Sequence, residues 1–322
     1  MPRCIPSAVA VVLALLALPA RAAEPDKRFP LFAYLTGTPS PSLVAYVPSE
    51  LDPRQEANNR RLATSSIRAD LAALRPAFDG LVLYGYHEAA TPRIVAVAKE
   101  LKFRAVILGI WDPKSAAELD GVAGLAKLHE NDLALGVIVG NEGVTFKRYE
   151  VGDLPIAAAR LRAHLPKSVP LATSEPLFQY KEPFAREFGD FLAPNIHPVF
   201  DRKDLSPADA AAWARAEAAK VVKAANKPVL VKETGMPHAG TREGVGYTPE
   251  TQAAFWEAYL KPGKLATADG GSWVFHGIAF EAFDLPWKAA ESRMEIEASW
   301  GVLGPKRQPH PAFAVWKAAA PK

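Results

Sequence analysis

The 322-residue sequence is 49% hydrophobic and 23% charged, an ordinary globular balance that excludes disordered and fibrous classes. Its formal net charge of +3 falls to +1 once Arg3 and Arg21 are set aside with the leader described next. That balance gives no electrostatic basis for a nucleic-acid or anionic-membrane partner.

Met1 to Ala23 combines Arg3, an apolar run from Ala8 to Leu18 and the small-residue stretch Ala20-Arg21-Ala22-Ala23, so residues 1–23 read as a secretory signal peptide. The run is too short for an ordinary membrane span, and no later stretch reaches the roughly 20 apolar residues that one needs. The mature chain is therefore expected to be soluble, with no membrane span. Cys4, the only cysteine, lies within the leader, and the sequence contains no Asn-x-Ser/Thr sequon. An exported chain without disulfides or sequons points to the bacterial periplasm, its roughly 300 mature residues held by their own core.

Residues 24–42 read as an irregular N-terminal segment, and Lys27 to Pro53, rich in Pro and Ser, as irregular chain with one or two short strands. From Leu43 to the end a rhythm appears. Apolar runs bounded by Gly, Pro or Asn predict strands at Leu43–Val47, Gly80–Tyr84, Ala105–Ile110, Leu135–Val139, Val169–Ala172, Phe191–Ile196, Pro228–Val231 and Gly277–Phe280. Helical spacing falls between them at Ser65–Leu74, Ile94–Lys102, Ser115–His129, Ile156–His164, Pro207–Ala225 and Pro249–Tyr259. Eight alternations in one chain predict an α/β fold of the (β/α)₈ TIM-barrel class, a single domain over residues 43–322. A doubly wound open sheet is the alternative reading of the same rhythm.

In a barrel the residues just after each strand face the catalytic mouth. Glu142 closes Val137-Ile138-Val139-Gly140-Asn141-Glu142 after the fourth strand, and Glu233 closes Val229-Leu230-Val231-Lys232-Glu233 after the seventh. Glycoside cleavage needs two such carboxyl groups, one protonated and one ionised, with retention at about 5 to 5.5 Å separation and inversion at about 6.5 to 9.5 Å. Capping or salt-bridged glutamates are the plainer alternative. Tyr84 and Tyr86 follow the second strand and His197 ends the sixth, while Trp111, Trp287 and Trp300 are either sugar platforms or packing. No His-x-His or His-Glu-x-x-His spacing occurs, nor a Gly-x-Ser-x-Gly elbow, Walker loop or dinucleotide fingerprint. No metal and no cofactor are expected.

The motifs Val139-Gly140-Asn141-Glu142 and Val231-Lys232-Glu233-Thr234-Gly235-Met236-Pro237 resemble those of glycoside hydrolase family 17, the β-1,3-glucanase family, especially its bacterial branch. Tyr247 to Phe255, Phe280 to Lys288 and Glu297 to Gly301 resemble its later motifs in order and spacing. The resemblance implies a retaining (β/α)₈ enzyme whose partner is a β-1,3-glucan or gluco-oligosaccharide, acting as a hydrolase or as a glucanosyltransferase. It implies Glu142 as acid/base, Glu233 as nucleophile and Asn141 as the ligand of the sugar 2-hydroxyl. Glu175, Lys288 and Glu297 match further family positions, with Glu291 and Glu295 as alternatives to the last. Two departures stand out: Leu285 where the family carries an acidic residue, so that either Glu281 or Asp284 compensates or the electrostatics of the site differ, and Met236 where it commonly carries Trp. They keep open a non-catalytic, glucan-binding barrel.

Overall fold

The computed structural model describes residues 28–202, 204–268 and 271–321. The expected signal peptide and Cys4 lie outside the described residues. Among the described residues no helix is long and apolar enough to cross a membrane.

Five short runs form parallel strands in chain order: β1 (Leu43–Ala45), β2 (Gly80–Val82), β3 (Ala105–Ile110), β4 (Ala134–Asn141) and β5 (Leu171–Ser174). The sixth run, 191–196, bridges Pro176, just past β5, on one side and the next strand, β6 (Val229–Leu230), on the other. Leu230 N–H donates to Leu192 O at 2.8 Å and Ile196 N–H to Glu233 O at 2.8 Å, but Pro194 has no N–H to give, so the ladder is interrupted there. Beyond β6 come a small hairpin, β7 (Thr241–Arg242) with β8 (Val245–Gly246), and β9 (Leu265–Thr267), which pairs antiparallel to β10 (Trp273–Phe275).

Closure happens at the eighth position. β10 pairs parallel with β6, whereas β11 (Ile278–Ala279) pairs parallel with β1, so one stretch changes partner across His276 and Gly277. The ring of eight positions is complete, and the open-sheet alternative falls. The eighth strand starts earlier than its predicted Gly277, and β9 had no counterpart in the sequence reading.

Strand side chains alternate. Val44, Leu81, Val106, Val137 and Val229 face the helices, while Leu43, Val82, Ile107, Ile138, Leu230 and Phe275 fill the barrel. The N-terminal segment corrects the sequence reading: Pro30–Leu35 is a helix, with Pro in its first turn, where a missing N–H costs nothing. Its Leu31, Phe32 and Leu35 are buried in the barrel interior and plug its lower end. Gly136 makes room for that plug, since a Cβ there would stand 2.6 Å from Leu31 Cδ2. The six predicted helices are present, two of them starting three residues earlier, at Thr91 and Asp153, because Pro92 and Pro155 are accommodated in first turns. The last helix, Pro311–Ala319, seals the outer ring with fully buried Trp316 against Trp256 at 4.9 Å.

Candidate active site

The chain leaves β4 through Gly140 at φ 77° and Glu142 at φ 55°. The left-handed turn is cheap for the glycine and strained for the glutamate, a pattern common where function fixes the backbone. Glu142 N–H donates to Ser174 O at 2.7 Å, anchoring the turn to β5.

A hydrogen-bonded chain joins the two glutamates. Asn195 Nδ2 donates to Glu142 Oε1 at 2.9 Å and to Asn141 Oδ1 at 3.3 Å, and Ser174 Oγ donates to Asn195 Oδ1 at 3.0 Å. Lys232 Nζ donates to Asn141 Oδ1 at 2.6 Å and to Glu233 Oε1, while His197 Nε2 lies 3.2 Å from Glu233 Oε2. Because an ammonium can only donate, Lys232 fixes which end of the Asn141 amide is oxygen. The amide nitrogen is thereby left for a ligand.

The two carboxyl groups are driven in opposite directions. Burial raises Glu142, and the nearby negative charge of Glu233 raises it further. Burial would also raise Glu233, but the Lys232 charge and the His197 hydrogen bond outweigh it and hold the carboxyl far below the usual range. Burial draws Lys232 down as well, yet its pairing with Glu233 opposes that, and the ionised carboxylate is the stable state of the pair. His197 follows the same logic: burial disfavours its cation, and the bond to Glu233 more than restores it. Such separation is what an acid and a nucleophile at one site require.

Tyr84 lies beside this chain, its ring centroid 4.3 Å from Lys232 Nζ and its hydroxyl buried. Burial and the charges of Glu233 and Glu281 keep that phenol protonated. Glu175 is fully buried and pins the loop after Glu142, accepting from Val144 N at 3.3 Å, Thr145 Oγ1 at 3.1 Å and Tyr149 Oη at 3.4 Å. Glu281 accepts from Lys288 Nζ at 2.7 Å, and burial lifts it to about 7 despite that partner. Burial likewise raises half-buried Glu297, which feels the same lysine without bonding to it.

Other expected positions have different occupations. Tyr86 lies on the helix Ala116–His129, against Gly121, where any Cβ would strike its ring. Asp284 turns to His238 at 2.9 Å and His310 at 2.9 Å. Trp300 is wholly buried, edge-on to His197 at 5.3 Å, and so packs behind the site. Trp287 is half-buried with Arg54 over its ring at 5.7 Å. Trp111 is 43% exposed under Arg148, whose guanidinium is 3.8 Å from its ring. Leu285 is buried in the core and Met236 beside Pro198, Val199 and Tyr247, so both departures are packed apolar positions.

Nothing local in the sequence marks Lys232 or Asn195. Strict strand alternation sends Lys232 away from Glu233, and Asn195 sits beside a ladder-breaking proline. Nor does anything local mark Phe146 and Phe178, exposed on the loops after β4 and β5, which Gln179 Nε2 ties together through Thr145 Oγ1 at 3.1 Å.

Comparison with known proteins places the fold and the family. The chain is 27% identical over 187 residues to a probable beta-glucosidase btgE of Aspergillus flavus, covering 56% of this chain and 29% of that protein. It is 28% identical over 208 residues to its counterpart in Aspergillus clavatus, covering 62% and 35%. The matches thus span about a third of those relatives' length. The fold superimposes on a glycoside hydrolase family 17 beta-1,3-glucanosyltransferase from Rhizomucor miehei with a TM-score of 0.65 at 20% identity, covering 87% of this chain and 98% of that one. A GH5_18 structure from Streptomyces cattleya follows the same barrel at a TM-score of 0.58 and 17% identity. The BtgE/BtgC glycoside hydrolase domain profile matches residues 44–301, more than half of the sequence, and the chain belongs to that glycoside hydrolase family.

Proposed function

We propose that this glycoside hydrolase cleaves β-1,3-linked glucan with retention, in the manner of family 17. The observation that carries the reading is the opposed ionisation of Glu142 and Glu233 across the Asn195–Asn141–Lys232 chain. Glu233, ionised, attacks the anomeric carbon while Glu142, protonated, gives its proton to the departing glycosidic oxygen. A glycosyl ester on Glu233 results. Glu142 then takes a proton from the incoming hydroxyl as that oxygen displaces Glu233. The Asn141 amide nitrogen is oriented to donate to the sugar 2-hydroxyl, a contact that strengthens in the transition state.

The incoming hydroxyl belongs to water or to a second sugar. Exposed Phe146 and Phe178, on the loops after β4 and β5, favour the second, since aromatic faces suit a bound acceptor chain. Incubation with reduced β-1,3-gluco-oligosaccharides, beside Glu233→Ala, separates the two by mass spectrometry. Products longer than the substrate mean transfer and solely shorter ones mean hydrolysis. Unchanged oligosaccharides at every chain length would remove the glucan assignment.

A further inference from the structure

We propose that His238, Asp284 and His310 form a binding site for a divalent transition-metal ion, zinc above all, separate from the glutamate pair. The three residues come from distant parts of the chain, 46 and 26 positions apart, yet their ligand atoms lie within 4.8 Å of one another. His238 Nε2 stands 2.9 and 3.0 Å from the two Asp284 carboxylate oxygens, and His310 Nε2 stands 2.9 Å from Oδ2.

The arrangement is built by the backbone. His238 N donates to Ser299 O at 2.8 Å, Asp284 N to Leu303 O at 2.9 Å and His310 N to Val302 O at 3.1 Å, so one short stretch, 299–303, seats all three. Gly301 N donates to Asp284 Oδ1 at 3.0 Å and orients the carboxylate, as an outer partner does in metal sites. Two imidazoles and one carboxylate suit zinc and its neighbours, and offer too few oxygens for calcium. Ligands bound at about 2.0 to 2.1 Å in a tetrahedron stand about 3.3 Å apart, so each imidazole nitrogen needs to part from the Asp284 carboxylate by only a few tenths of an ångström, while the two imidazoles, their ring centroids 3.9 Å apart, adjust toward the same spacing. The imidazole side chains are 12% and 16% exposed, which leaves an outward position for water as fourth ligand.

Without metal, each imidazole donates from Nε2 to the Asp284 carboxylate. On binding, each turns an Nε2 lone pair to the ion. The ion then staples the loop that follows Glu233 to the loop after β11 and to the final helix.

The test uses the full mature chain, free of any affinity tag and stripped with chelator. Zinc alone is titrated by calorimetry and thermal unfolding, and cobalt by visible absorption. Stoichiometric uptake is expected, with a rise in melting temperature of about 5 °C at saturation. A cobalt band that zinc displaces is expected too. His310→Ala and Asp284→Asn should bind at least about tenfold more weakly. His164→Ala, an exposed histidine on the helix Asp153–His164, should bind as the parent does. No stoichiometric zinc and no cobalt band in the parent chain would reduce the cluster to a hydrogen-bonded brace and overturn the proposal. So would undiminished uptake by the folded Asp284→Asn and His310→Ala chains. The cobalt spectrum of the parent decides the matter even if the variants misfold.

Discussion

The ammonium of Lys232 lies 2.6 Å from the amide oxygen of Asn141 and also pairs with Glu233, so one buried cation sets both the charge of one carboxylate and the orientation of the neighbouring amide. Lys232→Met is therefore expected to lower kcat/KM on the order of 100-fold, the scale for losing one preorganised electrostatic partner. Its diagnostic readout is the pH profile. With Lys232 gone, Glu233 loses its main depressing charge, and the acid limb of kcat/KM moves to higher pH. A variant with an unmoved acid limb would show that Lys232 only packs.

Asn195 makes the opposite adjustment on Glu142. Its hydrogen bond favours the ionised form and holds back the rise caused by burial and by Glu233. In Asn195→Leu the Glu142 carboxyl climbs further and stays protonated to higher pH, so the alkaline limb should move upward while kcat falls. A kinetic pH series on the two proteins checks this. A downward shift would contradict the assignment of Glu142 as the acid.

Glu281 links the site to folding stability. Its carboxyl sits near 7 in the folded chain, against about 4.3 when unfolded, so the folded state holds the extra proton between those values. The contribution is full below the unfolded value and is lost as pH rises through about 7, on the order of 4 kcal/mol in all. Denaturant midpoints of the parent should fall across this window by more than those of Glu281→Gln. Equal slopes would mean that Lys288 keeps Glu281 ionised throughout.

Position relative to strand ends was enough to single out Glu142 and Glu233, because a strand of short apolar residues closed by a glycine-bearing turn is a local signal. Lys232 and Asn195 gave none: one breaks the period of two and the other follows Pro194, and each acquires its role only when β4, β6 and the 191–196 run come together. The cluster of His238, Asp284 and His310 was equally hidden, since metal-like spacing in sequence requires ligands on one element, and these lie on three. The helix Pro30–Leu35 spans six residues, too few for a helical period to declare itself among prolines.

That helix also bears on stability. Phe32 is buried in the barrel, edge-on to Trp273 at 5.3 Å and Phe191 at 6.0 Å. Phe32→Ala should destabilise the fold by about 3 to 5 kcal/mol, the usual cost of emptying a buried aromatic site. Chemical denaturation would register it. A loss under about 1 kcal/mol would mean that the lower end of the barrel does not depend on its plug.

Retention through Glu233 is tested most directly by trapping. A 2-deoxy-2-fluoro β-glucosyl donor, extended with β-1,3-linked glucose, slows both steps, and a good leaving group restores the first. Peptide mass spectrometry is expected to find one added glycosyl group on Glu233, with none in Glu233→Gln. A turned-over donor whose product has inverted anomeric configuration, with Glu233 unmodified, would contradict the covalent mechanism and leave the two glutamates as the acid and base of a single displacement.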